Sequence, residues 1–270
     1  MTKDLMISRG GGRNAGMFSY VNQVISNLHV ADLKNAELYV LMDDTPYKDP
    51  ERGENCWDYY FLQPFGISPI QFGDYNIVQD GEWFPDHLVL GALLNPSIIG
   101  RANFLCKKYI KLQPSLEKKI QDFKRDVIVD SQYGAIHYRG TDHHYGTPNQ
   151  TQPLLPQSLY MNYIDQLLTK FPKVLVCSDQ ADFIELSVNT FGSEKIVFYS
   201  SIRSTSHLAV HYNNAGAKYQ TGEDVIIEAV LMAESSYLVR TVSNVTNFSI
   251  FYGGNDLPFK NIDDLSFYPY

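Results

Sequence analysis

At 270 residues, with 44% hydrophobic and 13% aromatic content, the chain falls among ordinary folded proteins and outside disordered or fibrous compositions. Its length suits one large domain or two of about half that size. A formal charge of −8 denies it the positive field that draws proteins to phosphate backbones or acidic membranes, so nucleic acid is disfavoured as the main partner. Cys56, Cys106 and Cys177 form no Cys-x-x-Cys pair and cannot all pair within one chain, which fits a reducing compartment and no zinc ribbon. The opening residues lack the apolar core of a signal peptide and no later run suits a membrane span, so a soluble, cytoplasmic protein is expected. The sequons at Asn149, Asn244 and Asn247 are then chance matches.

In chain order, Leu5-Met-Ile-Ser opens as a strand, Gly10-Gly-Gly-Arg-Asn-Ala-Gly16 as a glycine loop, and Met17 to Leu28 as an amphipathic helix. Glu37 to Met42 reads as the next strand, closed by Asp43-Asp-Thr-Pro. From Asp49 to about Gly100 the pattern is irregular, giving loops and short helices. Lys111-Leu-Gln leads into a helix whose Pro114 sits in the first turn, and 124–132 reads as a connector. Strands follow at Tyr133–Arg139, Lys173–Ser178, Lys195–Tyr199 and Tyr237–Val242, with helices at Leu159–Phe171, Asp182–Phe191 and Glu223–Ser235 between them. Such alternation implies parallel sheets covered by helices, with ligands at the carboxyl ends of the strands.

The polar residues at those ends carry the chemistry. The glycine loop, with Arg13, Asn14 and Gly16, is either a tight turn or an anion-facing loop before a helix N-terminus, and it matches neither standard nucleotide-binding loop. His137 and Arg139 alternate on one face of a strand that breaks at Gly140; Arg139 offers a fork of donors suited to phosphate, or pairs with Asp142. His143 and His144 extend the cluster without metal-ligand spacing. Ser178 and Asp179 end the next strand, where Asp179 or Asp182 would cap the following helix or Asp179 would face the cleft. Thr241, Ser243 and Asn244 end the last strand as a phosphate-facing helix start or as caps. Glu228 lies in an apolar helix, where local pattern favours a solvent-facing position. No Asp-x-Asp triplet and no Gly-x-Ser-x-Gly elbow occurs.

Lys111-Leu-Gln-Pro-Ser-Leu-Glu-Lys-Lys-Ile followed by His137-Tyr-Arg-Gly-Thr-Asp142 resembles the α1,6-fucosyltransferase/NodZ group, related to protein O-fucosyltransferases, whose members carry R-P-Q-P-W-L-E-K-E-I and then H-V-R-R-T-D. Val176-Cys-Ser-Asp-Gln180 is similar to that group's A-T-D-D, and Val225-Ile-Ile-Glu228 through Tyr237-Leu-Val-Arg-Thr-Val-Ser243 is similar to V-I-L-D followed by F-L-V-C-T-F-S-S. The resemblance implies an α/β, GT-B-like fold: two Rossmann-like lobes with parallel sheets and a cleft between them. Residues 1–125 would form the acceptor-side lobe and residues 126–270 the donor-binding lobe, with a tail able to return to the first. It also implies metal-independent, inverting transfer of fucose from GDP-fucose to a glycan hydroxyl, with no cofactor. Arg139 then matches the arginine on the donor diphosphate, His137 and Glu228 match nucleotide contacts, and Thr241 and Ser243 match phosphate-loop hydroxyls. Asp179 and Asp142 are base candidates by position, as are Asp43 and Asp44. Gly140 stands in place of a second arginine, Glu228 in place of aspartate, Gln180 in place of a second acid and Asn244 in place of serine. Transfer from another nucleotide sugar, such as a UDP-sugar, and non-catalytic binding of nucleotide or sugar stay open beside this reading.

Overall fold

The computed structural model describes residues 2–10, 15–88, 90, 94–129, 132–141, 155–206, 208–210 and 216–263. The first sheet has three parallel strands, β1 (Lys3–Arg9), β2 (Glu37–Leu41) and β3 (Tyr75–Gly81), in the order β2-β1-β3. Leu5, Met6 and Ile7 are buried on both faces of the central strand, which explains their continuous apolar run. Between β1 and β2 runs α1 (Met17–Lys34), closed by Asn35 in the left-handed conformation. The stretch from Asp49 to about Gly100 holds the expected short helices, among them α2 (Trp57–Tyr60), but also a strand, β3, and the start of a longer helix, α3 (Pro96–Tyr109). β3 is an edge strand whose Asn, Gln and Asp residues hide it from an apolar pattern. α3 begins with Asn95 accepting from the Ile98 amide at 2.9 Å and Pro96 in the first turn, a start signal present in the sequence.

After α4 (Pro114–Phe123) and a π-helical turn at Lys124–Ile128 comes the second sheet. Its strands are β4 (Gly134–Tyr138), β5 (Val174–Ser178), β6 (Ile196–Val197), β7 (Tyr237–Arg240) and β8 (Phe259–Asn261), all parallel in the order β6-β5-β4-β7-β8. The strand expected at Lys195–Tyr199 is reduced to two residues, and Lys111-Leu112 contributes only a bridge to Phe61. Helices α5 (Gln157–Leu168), α6 (Ala181–Phe191), α7 (Lys218–Ala233) and α8 (Asn244–Gly253) cover the sheet. Placing β4 centrally puts the ends of β4, β5 and β7 side by side: His137 pairs in register with Cys177 and Arg240.

The halves share one core. α8 packs on α7 and also on α1 and α3, where the Asn103 amide donates to the Phe251 and Tyr252 carbonyls at 2.8 Å. Tyr60 of α2 stacks on Tyr219 of α7, centroids 5.3 Å apart, and donates to the Tyr219 carbonyl. Gly222 lies under that pair: a Cβ there would sit 2.6 Å from Tyr60 Cζ. Gly222→Ala is therefore expected to destabilise the protein by about 1–3 kcal/mol through overpacking, read as a lower midpoint in thermal or urea unfolding. The three cysteines are buried and form no disulfide. No helix among the described residues is long and apolar enough to cross a membrane.

Candidate active site

A cleft opens where the start of α1 meets the carboxyl ends of β4 and β5. One wall is Gly16 to Ser19 with Tyr47; the other brings together His137, Arg139, Ser178, Asp179, Glu228 and Asn244, all singled out from sequence. Arg13, Asn14 and Asp142, with His143 and His144, lie outside the described residues.

The turn after β4 is held from β5. Asp179 accepts from the Gly140 amide at 2.9 Å and from the Thr141 hydroxyl at 2.6 Å, and Thr141 is buried. Asp179 therefore does not cap α6, whose N-cap residue is Gln180. Through these two bonds the carboxylate fixes the turn that carries Arg139. Ser178 accepts from the Gln180 amide, and the Gln180 side chain donates to the Gly140 carbonyl at 3.3 Å. A Cβ at Gly140 would meet the Gln180 amide and lie 2.7 Å from Tyr138 Cε1. The two departures belong together: Gln180 fills the space that a side chain at 140 would enter.

Tyr47 is a site residue that sequence reading missed, since nothing local marks it. Its buried hydroxyl accepts from the Met17 amide at 2.9 Å, capping α1 from a distant loop where Gly16 offers no side chain. Burial pushes the phenol well above its ordinary range while the nearby Arg139 charge opposes this, and both residues line the cleft. The guanidinium and the α1 N-terminus thus present positive potential to the same space.

At another part of the cleft, Glu228 is buried, contrary to the solvent-facing position that local pattern favoured. The α7 face that carries it turns inward, and it finds partners: Arg203 at 2.8 Å and the Ser201 hydroxyl at 2.7 Å, both on one carboxylate oxygen. Burial raises its pKa to about 7, with Asp224 and Asp179 adding to the rise and Arg203 and Ser201 opposing it. Asp224, one turn earlier, accepts from the Ile202 amide at 2.8 Å. Segment 201–203 was not foreseen because it belongs to no regular element.

Thr241 and Ser243 do not line the cleft; they build the start of α8 behind it. Thr241 hydrogen-bonds the Tyr160 hydroxyl, and Ser243 caps α8 by accepting from the Thr246 amide at 3.2 Å. Arg240, fully buried, donates to Thr246, Asn247 and Asn261 and so braces this helix start. Asn247, in one of the sequons, is buried in that network. Asn244 is the residue of this group that reaches the cleft, and Asn22 of α1 donates to its carbonyl at 3.1 Å.

No protein-family model matches the sequence, and no curated protein matches it. Solved structures do. A NodZ alpha-1,6-fucosyltransferase soaked with GDP-fucose is 12% identical, with a TM-score of 0.63 over 99% of this chain and 97% of that one. The fucosyltransferase NodZ from Bradyrhizobium is 13% identical, with a TM-score of 0.62 over 98% and 96%. POFUT1 in complex with GDP-fucose is 11% identical, with a TM-score of 0.51 over 96% and 98%. At these identities the likeness is one of architecture: the chain has the two-lobed GT-B fold of these fucosyltransferases.

Proposed function

We propose that the protein is a glycosyltransferase that moves fucose from GDP-fucose to a glycan hydroxyl with inversion and without a metal, residues 1–125 taking the acceptor and 126–270 the donor. The observation that carries this reading is the cleft itself, where Arg139 and the α1 N-terminus face one space and a buried carboxylate, Glu228, closes another side. The fold in which they sit is one whose solved examples include GDP-fucose complexes.

The acceptor oxygen attacks the anomeric carbon from the face opposite the nucleotide. As the new carbon–oxygen bond forms, the bond to the β-phosphate breaks and GDP leaves with the electron pair; the acceptor proton passes to a base or to water. Negative charge grows on the departing phosphate. Arg139, on the Asp179-braced turn, the positive N-terminal end of α1 and the Asn244 start of α8 are placed to stabilise it. Glu228 offers its second carboxylate oxygen to the N1–H and N2–H₂ edge of guanine, an edge uracil lacks.

Calorimetric titration of the protein with GDP and with UDP in EDTA tests the reading. GDP is expected to bind, and UDP to bind at least about tenfold more weakly, the worth of one charged hydrogen bond. Preference for UDP moves the donor to another sugar nucleotide, and binding of neither removes the transferase reading.

A further inference from the structure

Resting on the transferase reading above, we propose that the acceptor glycan docks on an aromatic and ion-pair platform at the carboxyl edge of the first sheet, formed by Trp83, His87 and the Arg9–Asp80 pair, and that the ring held there is an uncharged pyranose. Of the two tryptophans, Trp57 is fully buried whereas Trp83 is 51% exposed. Trp83 is paired with His87, ring centroids 5.0 Å apart and planes at 52°, so the two rings form a corner.

That corner is rigid from beneath. Phe84 is buried and its amide donates to Asn27 at 3.2 Å, while the Glu82 carbonyl accepts from both Asn27 and Gln23. His87 closes the turn with its own amide and with Nδ1, both donating to the Phe84 carbonyl, the ring nitrogen at 3.0 Å. With the backbone on both sides of Trp83 held in this way, the segment has little freedom left to lose on binding.

The platform adjoins the donor cleft. The Gln23 amide that holds Glu82 also donates to the Arg9 carbonyl at 2.6 Å, and Gln23 lies one turn of α1 from Ser19, which lines the cleft. Arg9, at the end of β1, grips Asp80, at the end of β3, through two bonds of 2.6 and 2.9 Å. Both side chains are roughly 40% exposed, so the pair keeps donors and acceptors for vicinal hydroxyls.

Ligand chemistry follows from these groups. The C–H face of a pyranose carries partial positive charge that suits the negative face of an indole. A net charge on the ligand does not suit the surroundings: Arg9 is already neutralised by Asp80, and Asp43, Glu82 and Asp86 are exposed nearby in the fold or along the same segment. An acidic glycan would meet like charge.

A glycan array carrying neutral, acidic and amine-bearing oligosaccharides, probed with labelled protein in saturating GDP, tests this. Wild type is expected to bind neutral glycans, Trp83→Ala to weaken that binding by roughly tenfold, and Trp83→Phe, which keeps an aromatic face, to recover most of it. GDP affinity and the thermal midpoint should be unchanged in both variants, since Trp83 touches neither the cleft nor the core. Neutral binding indifferent to Trp83, binding of acidic glycans alone, or no glycan bound by a GDP-competent protein would each overturn the assignment. Trp83-dependent glycan binding in a protein that ignores GDP would instead remove the donor reading and leave the platform standing.

Discussion

Replacing Arg139 by alanine is expected to lower turnover of GDP-fucose by about 10²–10³, the usual loss when one preorganised donor to developing charge is removed. Arg139 stands one residue beyond β4, in a turn that Asp179 fixes through the Gly140 amide and the Thr141 hydroxyl. In the proposed mechanism the turn that carries its guanidinium is thus set before the phosphate leaves. Since Arg139 lines the cleft and is only half-buried, its truncation opens no cavity in the core, and the thermal midpoint should hardly move. Lysine at this place keeps the charge but loses the two-pronged geometry, so Arg139→Lys should fall between wild type and alanine. Steady-state release of GDP, with acceptor or with water, measures the rates, and circular dichroism melting checks the fold. Wild-type turnover in the alanine variant would remove Arg139 from the mechanism.

Binding of GDP should weaken as pH falls below about 7, because Glu228 must be ionised to accept from the guanine edge and burial holds its pKa at about 7. Linkage then gives an approach to a tenfold loss per pH unit well below that value. Arg203 and Ser201 on one carboxylate oxygen oppose protonation, and Asp224 and Asp179 favour it. Glu228→Gln should lower affinity at pH 8 by about 10–100-fold, the worth of hydrogen bonds to a charged group. In that variant the pH dependence set by Glu228 should vanish, leaving only the part that belongs to the nucleotide's own phosphate. Titration calorimetry from pH 5.5 to about 8.5 on both proteins separates the two. An unaltered pH profile in Glu228→Gln would take Glu228 out of nucleotide recognition.

The same shift has the opposite effect on the empty protein. The folded-state pKa lies above the unfolded value, so the folded chain binds the proton more tightly. Stability from this group is fully present below pH 4.5 and is lost as pH rises through about 7, on the order of 3 kcal/mol. GDP should offset that loss above pH 7, which denaturant unfolding with and without nucleotide would reveal.

Much of the second sheet was legible in the order of residues. β5 is a short apolar run buried on both faces and legible as a parallel strand, while β4, equally buried, was legible from its alternation. His137, Arg139, Ser178 and Asp179 were found because they sit where such strands end, and a strand end leads to a cleft in any open parallel sheet. β3 was illegible because an edge strand needs only one partner and tolerates polar residues, while α3 carried its signal in the Asn95-Pro96 pair rather than in its pattern.

Sequence by itself determined the α/β class, the alternation of strands and helices in the second half, and the strand-end residues that line the cleft. Only the tertiary structure decided which of them share the cleft and which partners they meet. Local pattern turned Glu228 outward because periodicity counts apolar residues and cannot see that Arg203, 25 residues earlier, would meet it inside. Position alone put Asp179 at the cleft, and only the fold showed the Gly140 amide and the Thr141 hydroxyl on its oxygens. Tyr47 entered through a hydrogen bond to an amide 30 residues away. Strand and helix periods are properties of neighbouring residues, whereas ionisation, basicity and access depend on groups that only folding brings within about 3 Å of one another.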